Sequence, residues 1–230
     1  MLAVIASLGC AVAGDETTEL ASGADTYQYV VSGLRMPSSA AEADDMGFDL
    51  DGDTSSKPDN QLGVIVSQLF TSNTADMNAE VAELISTGAI LHLLELKAKS
   101  LEGQQTAGLS MWVGHDTDSN PDDNFSGAES FIVELTDGER LPGYVNNGKL
   151  EVGPGTVAVK LALPGGQAPF LIDLVAAHFE ADVGPHELSG HVGGAVTQAD
   201  VDERLVPFTH QAIERLIGLY CDPNIGTCLL

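Results

Sequence analysis

A series of short apolar runs, each closed off by glycine or proline, fills residues 89–196 and leaves few folds open to the chain. Between 156 and 163 the alternation has a period of two. Val157, Val159, Leu161 and Leu163 point one way, and Thr156, Ala158, Lys160 and Ala162 the other, as in a half-buried strand. Gly153-Pro154-Gly155 and Pro164-Gly165-Gly166 bound the run, and both triplets break regular structure. Similar punctuation sets off candidate strands at 89–98, 107–113, 129–135, 170–176, 177–183 and 187–192. Strands that follow one another without intervening helices pair antiparallel, so the expected body is a β-sandwich or an open barrel.

Helical periodicity is confined to the two ends of this body, which makes the expected class α+β, mainly β. Upstream, Tyr27–Leu34 has strand composition, and Ser38-Ser39 can cap a short helix over AAEADDMG. Leu62, Ile65, Val66, Leu69 and Phe70 then recur at helical spacing. Met77, Val81, Leu84 and Ile85 form a second stripe, with Thr74 as its cap and Gly88 as its left-handed end. Downstream, Thr197 and Asp200 match a capping box. Pro207 is expected to end that helix, and Thr209 to cap a last one with Ile213, Leu216, Ile217 and Tyr220 on one face. One globular domain over 27–230 is expected, with helices and an Asp-rich loop in 27–88, the sheet in 89–196 and C-terminal helices in 197–230.

Composition limits what such a domain can do. Hydrophobic residues make up 43% of the chain, enough for a packed core, yet nine Lys and Arg face 34 Asp and Glu, a net charge of −25. That charge repels nucleic-acid phosphates and anionic lipid headgroups, and it favours divalent cations.

The first residues read as an export segment. MLAVIASLG is apolar and small, far short of the about 20 residues a membrane helix needs, and the first charge is Asp15. Ser7-Leu8-Gly9-Cys10 resembles a bacterial lipobox, which implies lipidation of Cys10 and a membrane link through the lipid alone. Ala11-Val12-Ala13 resembles an ordinary signal-peptidase site, and the two readings compete. Residues 1–14 are therefore assigned to export and 15–26, small and acidic, to a tether. With Cys10 set aside, Cys221 and Cys228 remain, an even pair suited to a local disulfide in an oxidising compartment.

The chemistry that stands out is oxygen-rich and calcium-like. Asp49, Asp51 and Asp53 alternate in DLDGD, followed by Ser55, Asp59 and Asn60, and alternate carboxylates on a turning backbone can converge on one hard cation. The segment resembles the Asp-rich loops of EF-hand, dockerin and thrombospondin type 3 modules. That resemblance implies a structural calcium ion, with Thr54 in the usual glycine place and Asn60 in the place of the last Glu. A second oxygen-rich connection runs from His115 to Gly127 and offers Asp116, Asp118, Asn120, Asp122 and Asp123 between two strands. DLDGD with DNQLG, DDNFSG and GHVGGAV together resemble uncharacterised bacterial lipoproteins, which implies an envelope location and no reaction.

Other constellations argue against catalysis. His186 and His191 are five apart, not the four of the HExxH zinc motif, and Gly190 and Gly193 disfavour a helix. Glu180 and Asp182 share a strand face but lack the third carboxylate of sandwich glycosidases. There is no Gly-x-Ser-x-Gly elbow and no Walker loop. His92 reads as a core residue, and Trp112 as a core residue in preference to an exposed sugar platform. The expectation is an exported, non-enzymatic lipoprotein of the bacterial outer membrane, periplasm or cell surface, stiffened by calcium. The alternatives are a calcium-dependent carbohydrate-binding or adhesion module, with a glycan or envelope-protein partner, and then a secreted hydrolase of another type.

Overall fold

The computed structural model describes residues 2–8, 23–50, 59, 63–64, 76–134, 140–162, 168–222 and 227–228. Its main sheet contains β1 (Leu2–Leu8), β2 (Asp25–Arg35), β3 (Leu91–Ala98), β4 (Gln104–Asp116), β5 (Phe131–Val133), β6 (Leu141–Asn146), β7 (Lys149–Val152), β8 (Val157–Leu161), β9 (Phe170–Val183) and β10 (Glu187–Val196). Every pairing in it is antiparallel. The α+β, mainly β class expected from the punctuation is the observed one.

The strand order is β10-β1-β2-β3-β4-β6-β7-β9-β8, and β10 also pairs with β9. Eight strands are thereby linked in a continuous circuit of ladders, with β5 and β8 outside it. Two long strands make this possible by taking two partners along one edge. β4 pairs Gln104–Leu109 with β6 and Gly114–Asp116 with β5. β9 pairs Phe179–Asp182 with β7 and Phe170–Leu174 with β8, and it bends between them, where Ala176 has φ 48° and the β10 ladder shifts register. The runs 170–176 and 177–183, expected as two strands, are this one bent strand.

Residues 2–8, the apolar part of the expected export segment, form β1 between β2 and β10. The position of Cys10 lies outside the described residues.

One face of the sheet carries the main core, which includes Leu94 and Leu96 of β3, Leu109 and Met111 of β4, Val157 and Val159 of β8 and Phe179 of β9. The opposite face of β2–β3–β4–β5 holds a smaller cluster of Val30, Leu91, Leu93 and Phe131, with Trp112, Phe125 and Val133 packed on it. β3 is thus covered on both sides, which explains a sequence, LHLLELKA, with almost no alternation.

Helix α1 (Ala40–Asp45) starts where the Ser39 hydroxyl accepts from the Glu42 N–H, and the Glu42 carboxylate accepts from the Ser38 N–H. Helix α2 (Met77–Ser86) buries Met77, Val81 and Ile85, as its spacing predicts. Its cap is Asp76, not Thr74: Asp76 Oδ1 accepts from the Ala79 N–H. Gly88 follows at φ 74°.

The C-terminal helices differ from expectation in two respects. Thr197 caps α3 (Gln198–Asp200) as anticipated, but the chain continues without a break through a π-helical turn, Val201–Leu205, into α4 (Val206–Tyr220). The wider turn ahead of Pro207 absorbs the missing N–H that would otherwise end the helix. Phe208 stacks on Phe170 of β9 at 4.4 Å, and Ala212 is buried, so these residues dock α4. Ile213 and Ile217, expected on the docked face, are exposed instead. A small hairpin of β11 (Cys221–Asp222) and β12 (Thr227–Cys228) follows.

Candidate metal centre

The long connection between β4 and β5 brings three carboxylates together. Asp118, Asp123 and Glu129 each place an oxygen within 4.8 Å of the others. Oxygens that share one calcium ion can be no more than about 5 Å apart, twice the usual metal–oxygen distance. Among the described residues, none of the three pairs with Lys, Arg or His. Three like charges held this close repel one another, and a divalent cation is the simplest way to offset that.

Local backbone chemistry shapes the loop. Asp116 Oδ1 accepts from the Asp118 N–H at 3.0 Å, and Asp118 Oδ1 accepts from the Asn120 N–H at 2.8 Å, two consecutive Asx turns around Ser119 at φ 64°. Asn120 Nδ2 donates to Asp123 Oδ2 at 3.1 Å, which turns that carboxylate inward. The other oxygen of Asp123, Oδ1, is buried without a hydrogen-bond partner. Glu129 Oε1 accepts from the Ser130 N–H at 2.8 Å. At the stem, β4 and β5 pair Asp116 with Phe131, and Phe125 packs on both hydrophobic clusters.

The expected ligands divide accordingly. Asp118 and Asp123 belong to the group. Asp116 and Asn120 hold its backbone and its Asp123 side chain, while Asp122 is exposed outside the triad. Glu129 lies two residues beyond Gly127, where the expected connection ended, and so was not among the expected ligands. Counted from Asp118, oxygen-bearing side chains fall at places 3, 5, 7, 9 and 12: Asn120, Asp122, Asn124, Ser126 and Glu129. That is the calcium-loop spacing with its terminal Glu, although Asp123 stands in the glycine place and strands flank the loop. The donor set is all oxygen and anionic, which fits calcium and gives a soft metal no ligand.

In the first Asp-rich loop, Asp51, Asp53, Ser55 and Asn60 lie outside the described residues. Asp49 is exposed. Asp59 closes the neck: its N–H donates to the Phe48 carbonyl at 2.8 Å, and its Oδ2 accepts from the Leu50 N–H at 3.0 Å. The Phe48 ring rests on His191 and His178, at 5.1 and 5.9 Å between centroids.

The remaining residues singled out from sequence lie elsewhere. His186 sits in the β9–β10 turn, and His191 of β10 lies 3.4 Å from Glu180 Oε2. Asp182 pairs with Lys149 of β7. Tyr144, Glu151, Glu180 and His191 are cross-strand neighbours on one exposed row, where the Tyr144 hydroxyl donates to Glu151. Register sets Cys221 opposite Cys228. No protein-family model, curated protein or solved structure matches the chain.

Proposed function

We propose that this chain is a non-enzymatic, calcium-stiffened β protein of the bacterial cell envelope, and that the ion sits in the 118–129 loop. The observation that carries this reading is the convergence of Asp118, Asp123 and Glu129 inside one strand-to-strand connection. Asp118, Asp123 and Glu129 would supply the anionic ligands, and Asn120 would orient Asp123. The ion would pin the two arms of the loop and hold Phe125 against the cluster of Val30, Leu91, Leu93 and Phe131. Such a role is structural. The aromatic residues near the loop, Trp112 and Phe125, are turned onto the sheet, which favours a structural ion over a sugar platform.

Calorimetric titration with calcium, together with melting in calcium and in chelator, tests the site. Binding to the intact chain that is lost in Asp123→Asn and in Glu129→Gln supports it. Equal heats in those variants would move the ion elsewhere, with the first Asp-rich loop as the next place to mutate.

Export remains part of the proposal and rests on Gly9-Cys10 and Ala11-Val12-Ala13. Processing at either place would remove β1. Mass spectrometry of the mature N-terminus decides between a lipidated Cys10, a start after Ala13 and a retained β1. The same spectrum, with and without reductant, tests a Cys221–Cys228 disulfide, which the cross-strand register supports.

A further inference from the structure

Strand β8 is the last strand in the sheet order and pairs on one side only, with β9. It nevertheless supplies Val157, Val159 and Leu161 to the main core. Among the described residues, its other edge meets β3 in a bond between a side chain and the backbone. The Lys160 N–H donates to His92 Nε2 at 2.9 Å. His92 is fully buried, at 0% exposure.

Because Nε2 accepts, the ring proton is on Nδ1, and Nδ1 is buried without a partner. Adding a second proton therefore has two local consequences. It removes the lone pair that holds the Lys160 N–H, and it places an imidazolium where no acceptor faces it. The charged groups around it do not compensate. Lys160 of β8 is itself cationic, and its Nζ lies 3.9 Å from Glu134, the carboxylate that His115 of β4 also contacts. On β3, Glu95 lies on the opposite face with Lys97, and on β9 Asp173 stands opposite Ala158, two residues from Lys160.

We propose that His92 is an acid-sensitive latch whose protonation releases β8 from β3 and bares the apolar side chains of Val157, Val159 and Leu161. Burial, with Lys160 adding to it, pushes the His92 pKa down from 6.5 to about 4. The opened state binds the proton more readily than the latched one. Stability of the latch is thus full above 6.5 and is lost as pH falls from there toward about 4.

Amide exchange of the whole chain, followed by NMR and corrected for the intrinsic rate, reads this directly. Protection of the Lys160 amide is expected to fall by up to about tenfold per pH unit through that window. The Leu94 and Met111 amides should hold. In His92→Gln, which keeps an acceptor but does not titrate, Lys160 protection should stay level.

Three results would overturn the latch: a level Lys160 profile in the unaltered chain, a fall shared equally by Leu94 and Met111, or the same fall in His92→Gln. If His92→Gln does not fold, the imidazole ¹⁵N shifts of the unaltered chain replace it. An unshifted His92 titration, with no matching change at Lys160, rules the latch out.

Discussion

Among the described residues, Glu95 is the least exposed acidic side chain. It lies on β3 with 6% exposure, 3.2 Å from Lys97 Nζ and 3.7 Å from Arg140 Nη2, and Gln28 Nε2 donates to it at 3.4 Å. Removing the carboxylate leaves two cations partly buried and unpaired. Glu95→Ala should therefore cost about 3 kcal/mol in a urea melt, well above the cost of trimming an exposed glutamate such as Glu102. Glu95→Gln separates charge from packing and should recover part of the loss. A second residue-scale prediction concerns the seat of the candidate loop. Gly88 has φ 74°, and a Cβ there would lie 3.0 Å from Nδ2 of Asn124, a residue 1% exposed. Gly88→Ala should cost about 1–2 kcal/mol from the left-handed backbone alone, measured by thermal melting. Sequence showed that a glycine would end α2, because that demand is local. It did not show that the same glycine makes room for Asn124, because the two meet only through the fold.

At the scale of elements, β1 carries the largest untested consequence. Leu2–Ser7 pairs with β10 and Ala3–Leu8 with β2, so its removal frees two ladder edges at once. A chain starting at Asp15 should melt lower than the full chain and self-associate through the freed edges. Equal melting and a monomeric profile in sedimentation would mean that β2 and β10 do not need β1 between them. Apolar composition made residues 2–8 readable as a leader, and the same composition suits a covered strand, so pattern alone leaves the two uses open. The β6–β7 hairpin was missed although its signal is present. Asn147-Gly148 adopts φ 49° and 78°, and Asn146 pairs with Lys149 across a two-residue turn that this dipeptide favours. Pro142 and Gly143 hid the strand before it. α4 shows the opposite error, since Pro207 reads as a stop only when the preceding turn is an ordinary α turn.

Across the whole molecule the net charge of −25 sets the dominant long-range term. Raising monovalent salt from about 0.01 M to 0.15 M shortens the screening length from about 30 Å to about 8 Å, so the melting temperature should rise as carboxylate repulsion fades. Calcium added at constant ionic strength should raise it further if the 118–129 loop binds the ion, and magnesium should do less because its small octahedral shell fits an irregular loop poorly. A salt series with matched ionic strength separates screening from binding. Residue types and their spacing are enough to read the mainly β class, the helices at both ends, the acidic field and the oxygen-rich loops. Each follows from composition or from a periodicity of a few residues. The folded arrangement adds that β4 and β9 each take two partners along one edge, that His92 meets the free edge of β8, and that Asp123 and Glu129, not Asp122, meet Asp118. Those outcomes depend on pairing between distant segments and on loop torsions, and no local pattern of residue types encodes either one.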